Sequence, residues 1–331
     1  MKAMVIDRFG PPEVFHEAEL DKPQAKAGYV LVKVHASSVN PIETKIRSGL
    51  VPAITSPFPA VLNGDFSGVV AEAGEGAADF KAGDEVFGCA GGAVGEAGAL
   101  AEHMLADSRL IWHKPKNIDH KTAALYPLVG ITAYELLEKA RVKEGDKVLI
   151  HGIAGGVGHI ALQLAKSSGA KVYGTVSGES KGRSVLGIGA DGVINYKENS
   201  VEEYVKQYTE GKGFDVIIDT VGGENLLNSF KAVKLNGTVC TTNSRISLDL
   251  GMMHRKAISL NCVFILIPLL DGVDRERHGL ILKEIKGLIE DDKLKILKAE
   301  RDFLFTDVGK AHSYLESGKA EGKIALLSPY I

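Results

Sequence analysis

The sequence predicts an α/β fold in two parts, an antiparallel β-domain and a doubly wound parallel sheet covered by helices. From about position 147 onward, six short β-branched runs alternate with amphipathic helical segments, most with a glycine near the end. The first 120 residues contain strand-like runs between Gly-, Pro- and Asp-rich turns, with no long helix. After Pro268 a long helix is followed by a strand, a short helix and a strand.

These patterns place the parallel-sheet domain at residues 126–267 and the β-domain at residues 1–125, completed by residues 268–331. The most economical arrangement returns the C-terminal tail to the β-domain, which makes the parallel-sheet domain an insertion. A chain of 331 residues is long enough for two such cores. The predicted parallel strands are residues 147–150, 171–176, 192–196, 214–219, 238–242 and 261–265.

Composition argues against several classes of partner. A formal net charge of -3 and the lack of a basic tract argue against nucleic acid or an anionic membrane as the main partner. The longest apolar run, residues 261–270, contains Pro268 and is too short to span a bilayer. With no signal-like N-terminal core, we expect a cytoplasmic protein. Three scattered cysteines without CxxC spacing predict no disulfide framework or zinc knuckle, and we expect them to be buried.

The stretch HGIAGGVG, residues 151–158, follows the first predicted parallel strand and precedes a helical pattern. Glycine lets a backbone approach a pyrophosphate closely, and the amides at a helix N-terminus stabilise that anion. The spacing G-x-x-G-x-x-G is one residue looser than the dinucleotide fingerprint, and the alternative is a tight turn without a ligand. The predicted contacts are Gly152, Gly155, Gly156, Val157 and Gly158.

The end of the second parallel strand indicates which dinucleotide binds. NAD enzymes usually have an acidic residue there, whereas this chain has Ser177, with Lys181 and Arg183 close behind. A hydroxyl and two cations suit a 2′-phosphate, so NADPH is the predicted cofactor, although Glu179 would repel that phosphate if it pointed inward. Alternatively, the cations only solvate a helix start. Thr220 and Asn243 follow the fourth and fifth strands, at the edge where ligands bind.

Six ordered motifs extend over nearly the whole chain: SSVNPIETKIRSG (37–49), PAVLNGDFSGVV (59–70), AGDEVFG (82–88), GALAEHML (98–105), GITAYELL (130–137) and HGIAGGVG (151–158). With them the sequence resembles the medium-chain dehydrogenase/reductase superfamily, and within it the zinc-independent quinone oxidoreductase branch. The resemblance implies a GroES-like β-domain, a Rossmann domain and an active site in the cleft between them. It also implies a homodimer that pairs through the apolar strand LNCVFIL.

The resemblance also allows two positions to be compared with the zinc ligands of related enzymes. Zinc alcohol dehydrogenases of the superfamily have a Cys ligand where this chain has Asn40-Pro41, and Gly-His-Glu where it has Gly64-Asp65-Phe66. We therefore expect no metal site. Chemistry then depends on hydride transfer from the nicotinamide, for which quinones and α,β-unsaturated carbonyls are suitable acceptors because they delocalise the developing charge.

The resemblance implies two catalytic residues. Asn40 would face the cleft near the nicotinamide, unless it only forms an Asn-Pro turn. Lys45 stands where many relatives have Tyr and would hydrogen-bond the acceptor oxygen, unless it is a plain surface lysine. Thr132 would contact the nicotinamide, or serve only as a helix N-cap, and Tyr196 would lie near the 2′-phosphate, or pack in the core. The backbone groups of Phe264 and Ile265 would meet the carboxamide.

Three functional hypotheses follow. The first is a zinc-independent, NADPH-dependent reductase of quinones or α,β-unsaturated carbonyls. The second is an enoyl-thioester reductase, which would need a pocket for a long acyl chain. The third is an NADPH-binding structural or nucleic-acid-binding protein with little turnover, which the net charge of -3 disfavours.

Overall fold

The computed structural model describes residues 1–331, and the chain divides into two compact units. The first unit comprises Met1–Ile131 and Ile265–Ile331, and the second comprises Thr132–Phe264. The antiparallel sheet falls in the first unit and the parallel sheet in the second, which confirms the predicted fold class. None of the helices combines the length and apolarity needed to cross a bilayer.

The elements follow in chain order. The N-terminal part contains β1 (Lys2–Ile6), β2 (His16–Glu19), β3 (Tyr29–Val39), α1 (Pro41–Ser48), β4 (Ala60–Val61), β5 (Asp65–Ala73), β6 (Glu85–Cys89), β7 (His103–Asp107), β8 (Ile111–His113), α2 (His120–Ala123) and α3 (Pro127–Ala140). The middle part contains β9 (Lys147–His151), α4 (Gly156–Ser167), β10 (Lys171–Val176), α5 (Glu179–Leu186), β11 (Gly192–Asn195), α6 (Val201–Thr209), β12 (Phe214–Asp219), α7 (Asn225–Ala232), β13 (Val233–Thr241), α8 (Gly251–Lys256) and β14 (Ser259–Cys262). The C-terminal part contains α9 (Ile267–Asp271), α10 (Arg275–Glu290), β15 (Phe303–Leu304), α11 (Val308–Glu316) and β16 (Ile324–Leu327).

The main sheet of the first unit is built around the long strand β3. Its order is β15-β16-β3-β5-β6-β8, with β7 also paired to β3, and a smaller sheet has the order β2-β1-β4. Since β16 pairs antiparallel with β3, the C-terminal tail contributes a strand to the main sheet of the first unit. Fully buried side chains, including Phe66, Leu62 and Met104, form its core.

Helix α1 is a feature that the sequence analysis did not predict. Asn40 is its N-cap in a capping box with Glu43, Pro41 occupies the first turn, and Gly49 ends the helix with a left-handed φ of 82°. The signal was present in the sequence, because Asn-Pro-x-Glu is a helix start and Gly49 is a helix stop. The Asn-Pro pair therefore begins a helix in addition to ending β3.

The second unit is a six-stranded parallel sheet of order β11-β10-β9-β12-β13-β14, the doubly wound order of dinucleotide-binding domains. All six predicted strands are present, although β13 starts earlier than predicted and β14 ends at Cys262. Because β14 is an edge strand, Cys262 is exposed, which corrects the expectation that all three cysteines are buried. Leu149, Phe214 and Phe230 are wholly buried in the core between this sheet and its helices.

Candidate active site

The predicted cofactor residues of the second unit lie just after the ends of its strands. Parallel strands end at the same edge of a sheet, so the fold brings these residues together along one edge. The residues after successive strand ends are Gly152 after β9, Ser177 after β10, Tyr196 after β11, Thr220 after β12, Asn243 after β13 and Phe264 after β14. Ile265, which follows, belongs to the first unit.

The glycine turn between β9 and α4 has the shape of an anion cradle. Gly152 has a φ of 71°, which favours glycine. A Cβ at Gly158 would lie 2.3 Å from the carbonyl oxygen of Gly152, so only glycine lets the helix start pack against the turn. Gly155 is the N-cap and has no capping side chain, so the first-turn amides at 156–158 remain available to a ligand. The turn therefore fits a pyrophosphate.

A row of buried polar residues lies across the four central strands beneath this edge. The strand registers align Thr175 with His151, His151 with Asp219, and Asp219 with Thr241. Thr175 Oγ1 accepts a hydrogen bond from the amide of Gly152 at 3.2 Å, and burial lowers the pKa of His151 so that the ring stays neutral. Each side chain of the row except His151 accepts from an amide in a turn at the edge. This row was not predicted, although a polar residue at or near the end of each buried strand is visible in the sequence.

The residues predicted for the 2′-phosphate lie around the start of α5. Lys181 is half-buried in its first turns, and Tyr196 is 55% exposed, so the alternative that Tyr196 packs in the core is wrong. Arg183 pairs with Glu179 at 3.3 Å and both side chains are exposed, so the Glu179 carboxylate is compensated within the helix. Thr132 is buried in the interior of α3, which excludes the N-cap alternative for that residue.

A second polar cluster lies in the first unit and is assembled by strand register. The pairing of Ile324 with Val39 places Lys323 beside Asn40, at the junction of β3 and α1. The pairing of β5 with β3 and β6 places Asp65 beside the end of β3 and opposite Cys89. Three segments that are distant in sequence therefore meet at one end of the sheet.

Asn40 is held on all sides in this cluster. Its Nδ2 donates to Asp65 Oδ2 at 2.9 Å and to Glu43 Oε1 at 3.2 Å, and its Oδ1 accepts from the Lys323 ammonium. Its backbone amide donates to Glu43 Oε2 at 2.6 Å. Asn40 is only 1% exposed, and both polar atoms of its side chain are engaged. The side chain is therefore fixed by its neighbours, and its contact with substrate stays a prediction.

The electrostatics of the cluster depend on Glu43. Burial, and next the charge of Asp65, raises the pKa of Glu43 to about 7, although the Lys323 ammonium opposes this shift. Burial and the neighbouring carboxylates also raise the pKa of the Cys89 thiol well above its usual value. Cys89 is therefore a protonated thiol, and Glu43 is the group of the cluster that changes charge near neutral pH.

Lys45 differs from Lys323 in that its ammonium has no partner in the cluster. It is half-buried on α1, and its ammonium has no hydrogen-bond or ion-pair partner within the described chain. An ammonium without an internal partner is available to a ligand, so its predicted role at the acceptor oxygen remains compatible with the structure.

Both units of the chain match known protein families. Residues 26–116 match the alcohol dehydrogenase GroES-like domain, and residues 156–265 match the family described as zinc-binding dehydrogenase. The chain is 35% identical over 253 residues to a human quinone oxidoreductase, covering 76% of this chain and 75% of the relative. It is 32% identical to an Arabidopsis thaliana protein named NADPH-dependent alkenal/one oxidoreductase, chloroplastic, covering 98% of this chain and 79% of the relative. The crystal structure of Escherichia coli quinone oxidoreductase complexed with NADPH superimposes with a TM-score of 0.89 at 30% identity, covering 99% of this chain and 100% of that one.

The chain belongs to the quinone oxidoreductase branch of the medium-chain dehydrogenase/reductase superfamily. The resemblance noted in the sequence is thereby confirmed. One family description names zinc, but the described chain contains no group of three or more His, Cys, Asp and Glu side chains placed to hold a metal ion. Asn40 and Asp65 are instead bonded to each other and to an ammonium, so the residues of this branch member do not fit a zinc ion.

Three members of the cluster were not predicted as site residues from the sequence: Glu43, Asp65 and Lys323. Glu43 had a local signal as the third residue of a capping box, and Asp65 stood where zinc relatives have a ligand. Lys323 lies 258 positions from Asp65 and has no local pattern that separates it from a surface lysine.

The titration of Glu43 predicts a pH dependence of stability for this oxidoreductase. Its pKa rises from 4.5 to about 7 on folding, so folded Glu43 keeps its proton over a window in which the unfolded carboxyl loses it. The free energy of unfolding should therefore fall between these pH values, by on the order of 3 kcal/mol for the full shift, and level off above them. Glu43→Gln should remove this contribution, as measured by urea unfolding at about pH 5 and about pH 8.

The matched control is Glu203→Gln, because Glu203 has the same capping-box position in α6 but is exposed and has a lowered pKa. This variant should retain the wild-type loss of stability between the two pH values. An identical pH dependence in the wild type and in Glu43→Gln would contradict the prediction.

Proposed function

We propose that the chain is a zinc-independent, NADPH-dependent reductase that transfers hydride to quinones or α,β-unsaturated carbonyls. The observation that carries the proposal is the bonding of Asn40 and Asp65 to the Lys323 ammonium, which leaves no donor set for a metal, while the cofactor edge of the second unit is intact. The names of the human and Arabidopsis relatives support quinones and alkenals or alkenones as acceptors and NADPH as the reductant.

The chain's own residues would bind and orient the reactants. When bound, NADPH supplies the hydride. The amides that follow Gly155 hold the pyrophosphate, and Ser177, Lys181 and Tyr196 hold the 2′-phosphate. Lys45 donates a hydrogen bond to the acceptor oxygen, where negative charge develops as the hydride arrives. Delocalised acceptors need little more, so positioning accounts for most of the catalysis.

We propose two further properties. The edge strand β14 has only β13 as a neighbour, so its other side is free to pair with a second copy in a homodimer. All three cysteines are unpaired thiols, which favours the reducing environment of the cytoplasm.

The first experiment is oxidation of NADPH and NADH by purified, EDTA-treated protein with benzoquinone, phenanthrenequinone and a short alkenal. We expect turnover with NADPH that survives the chelator, since no residue set fits a metal. Activity that EDTA removes and zinc restores would contradict zinc independence. NADPH binding without turnover of any acceptor would contradict the reductase and favour a binding role.

Replacement of Lys45 tests the proposed hydrogen bond to the acceptor oxygen. Lys45→Met should lower kcat by about 100-fold, because it removes a donor that acts where charge develops, and should leave the KM for NADPH unchanged. Lys319→Met is the control, since Lys319 is an exposed lysine of the same unit. Wild-type kcat in Lys45→Met would assign Lys45 to the protein surface.

Replacement of Lys181 tests the choice of cofactor. Lys181→Ala should raise the KM for NADPH by about tenfold, because a hydrogen bond to a charged group contributes about 1.5 kcal/mol or more. The KM for NADH should not change. Arg183→Ala is the matched control, because Arg183 already pairs with Glu179. Equal effects on NADPH and NADH would exclude recognition of the 2′-phosphate by Lys181.

A further inference from the structure

Lys323 is a buried cation at the centre of the first unit's polar cluster. Its side chain is 3% exposed, and its ammonium contacts Asn40 Oδ1, Asp65 Oδ2 at 3.3 Å and the carbonyl oxygen of Val39 at 3.4 Å. An unpaired ammonium is rarely buried, because desolvation of a charge costs several kcal/mol. The three acceptors meet the three donors of the ammonium, so the site is satisfied in both charge and hydrogen bonding.

The position of this ammonium is set by the backbone. The amide of Lys323 donates to Leu297 at 2.8 Å, and its carbonyl accepts from Ala299 at 2.9 Å. The next residue, Ile324, pairs with Val39 in the sheet. The backbone of Lys323 is therefore fixed by hydrogen bonds at both its amide and its carbonyl, and this determines where its side chain begins.

The ammonium and the carboxylates around it determine the orientation of the Asn40 amide. An ammonium has only donors, so Asn40 must turn its oxygen toward Lys323. Its Nδ2 consequently faces the carboxylates of Glu43 and Asp65, which have only acceptors when ionised. The ammonium and the ionised Asp65 carboxylate therefore require the same orientation of the Asn40 amide.

We propose that Lys323 is a positioning residue of the reductase. Its ammonium is the cation that holds Asn40 and Asp65 together, at the positions where zinc relatives have their Cys and His ligands. Like a metal ion, it draws converging oxygen ligands to one positive charge. Unlike a metal ion, it has no open coordination position and cannot act as a Lewis acid. This inference rests on the proposed function insofar as the Asn40 segment and α1, which carries Lys45, serve the reductase.

The test compares Lys323→Met with Lys114→Met. Lys114 is a matched control because it is also a buried lysine of the first unit, 5% exposed, and bonds to the carbonyl oxygens of Pro115 and Ile118 and to Glu85. Both variants should lower the midpoint of thermal unfolding by roughly 5–10 °C, because each removes a buried charge and leaves its partners unpaired. Only Lys323→Met should also lower kcat, by roughly 10- to 100-fold, since misplaced catalytic groups lose rate.

The KM for NADPH should be the same in both variants, because the predicted cofactor edge lies in the second unit. Lys323→Arg, which keeps a positive charge and N–H donors, should recover part of the lost kcat and midpoint. Equal kcat in folded Lys323→Met and wild type, or equal losses of kcat in the two Met variants, would overturn the proposal.

A double-mutant cycle of Lys323→Met and Asp65→Asn provides a readout that does not depend on turnover. The double variant should lose less thermal stability than the sum of the single losses, because it removes both charges of the pair. It should fold even if Lys323→Met alone does not. Additive losses, or a double variant that does not fold, would overturn the proposal. If the wild type reduces no acceptor, the proposed function fails, but this cycle still decides whether Lys323 is the cation that holds Asp65.

Discussion

Burial of the Asp65 carboxylate is the constraint on which the first unit depends. Asp65 is wholly inaccessible to solvent, so its oxygens must be satisfied by donors of the protein. Those donors come from β3, from the N-cap of α1, from the first turn of α3 and from the residue that precedes β16. They are Ser38 Oγ, Asn40 Nδ2, the amide of Leu128 and Lys323 Nζ. One carboxylate therefore joins segments from both ends of the chain.

In the second unit, buried polar side chains lie at the ends of several strands, and each of these is hydrogen-bonded near its own strand end. Several side chains near the strand ends accept hydrogen bonds from the amides of turns at the carboxyl edge. Asp219 has the most partners, because it caps the turn after β12 and also bonds Asn225 and Ser229 of α7. The turns of the edge are thus hydrogen-bonded to side chains of the strands where a dinucleotide would contact them, although the glycines themselves contribute no side chains.

The difference between the units explains which features were predictable. Six parallel strands and their helices follow from hydrophobic periodicity and glycine stops, which are local signals. The glycine turn is equally local. The positive φ of Gly152, the N-cap at Gly155 and the close backbone approach at Gly158 all lie within the eight residues 151–158. Helix α1 was not predicted although its capping box is readable, because the only local structure considered for the Asn-Pro pair was a turn, as the alternative to a catalytic role of Asn40. Lys323 had no such signal, since its partner Asp65 lies 258 positions away.

The sequence by itself determined the superfamily and the two kinds of sheet. It also predicted the return of the tail to the β-domain and the residues of the cofactor edge, whose contacts with a ligand stay predictions. Each of these depends on patterns within a few turns or strands of the chain. Only the tertiary structure decided that Asn40 is enclosed, that the pKa of Glu43 is raised to about 7 and that a lysine lies beside Asp65. Charge interactions depend on distance and burial, and both are set here by the register of β3 with β5 and β16.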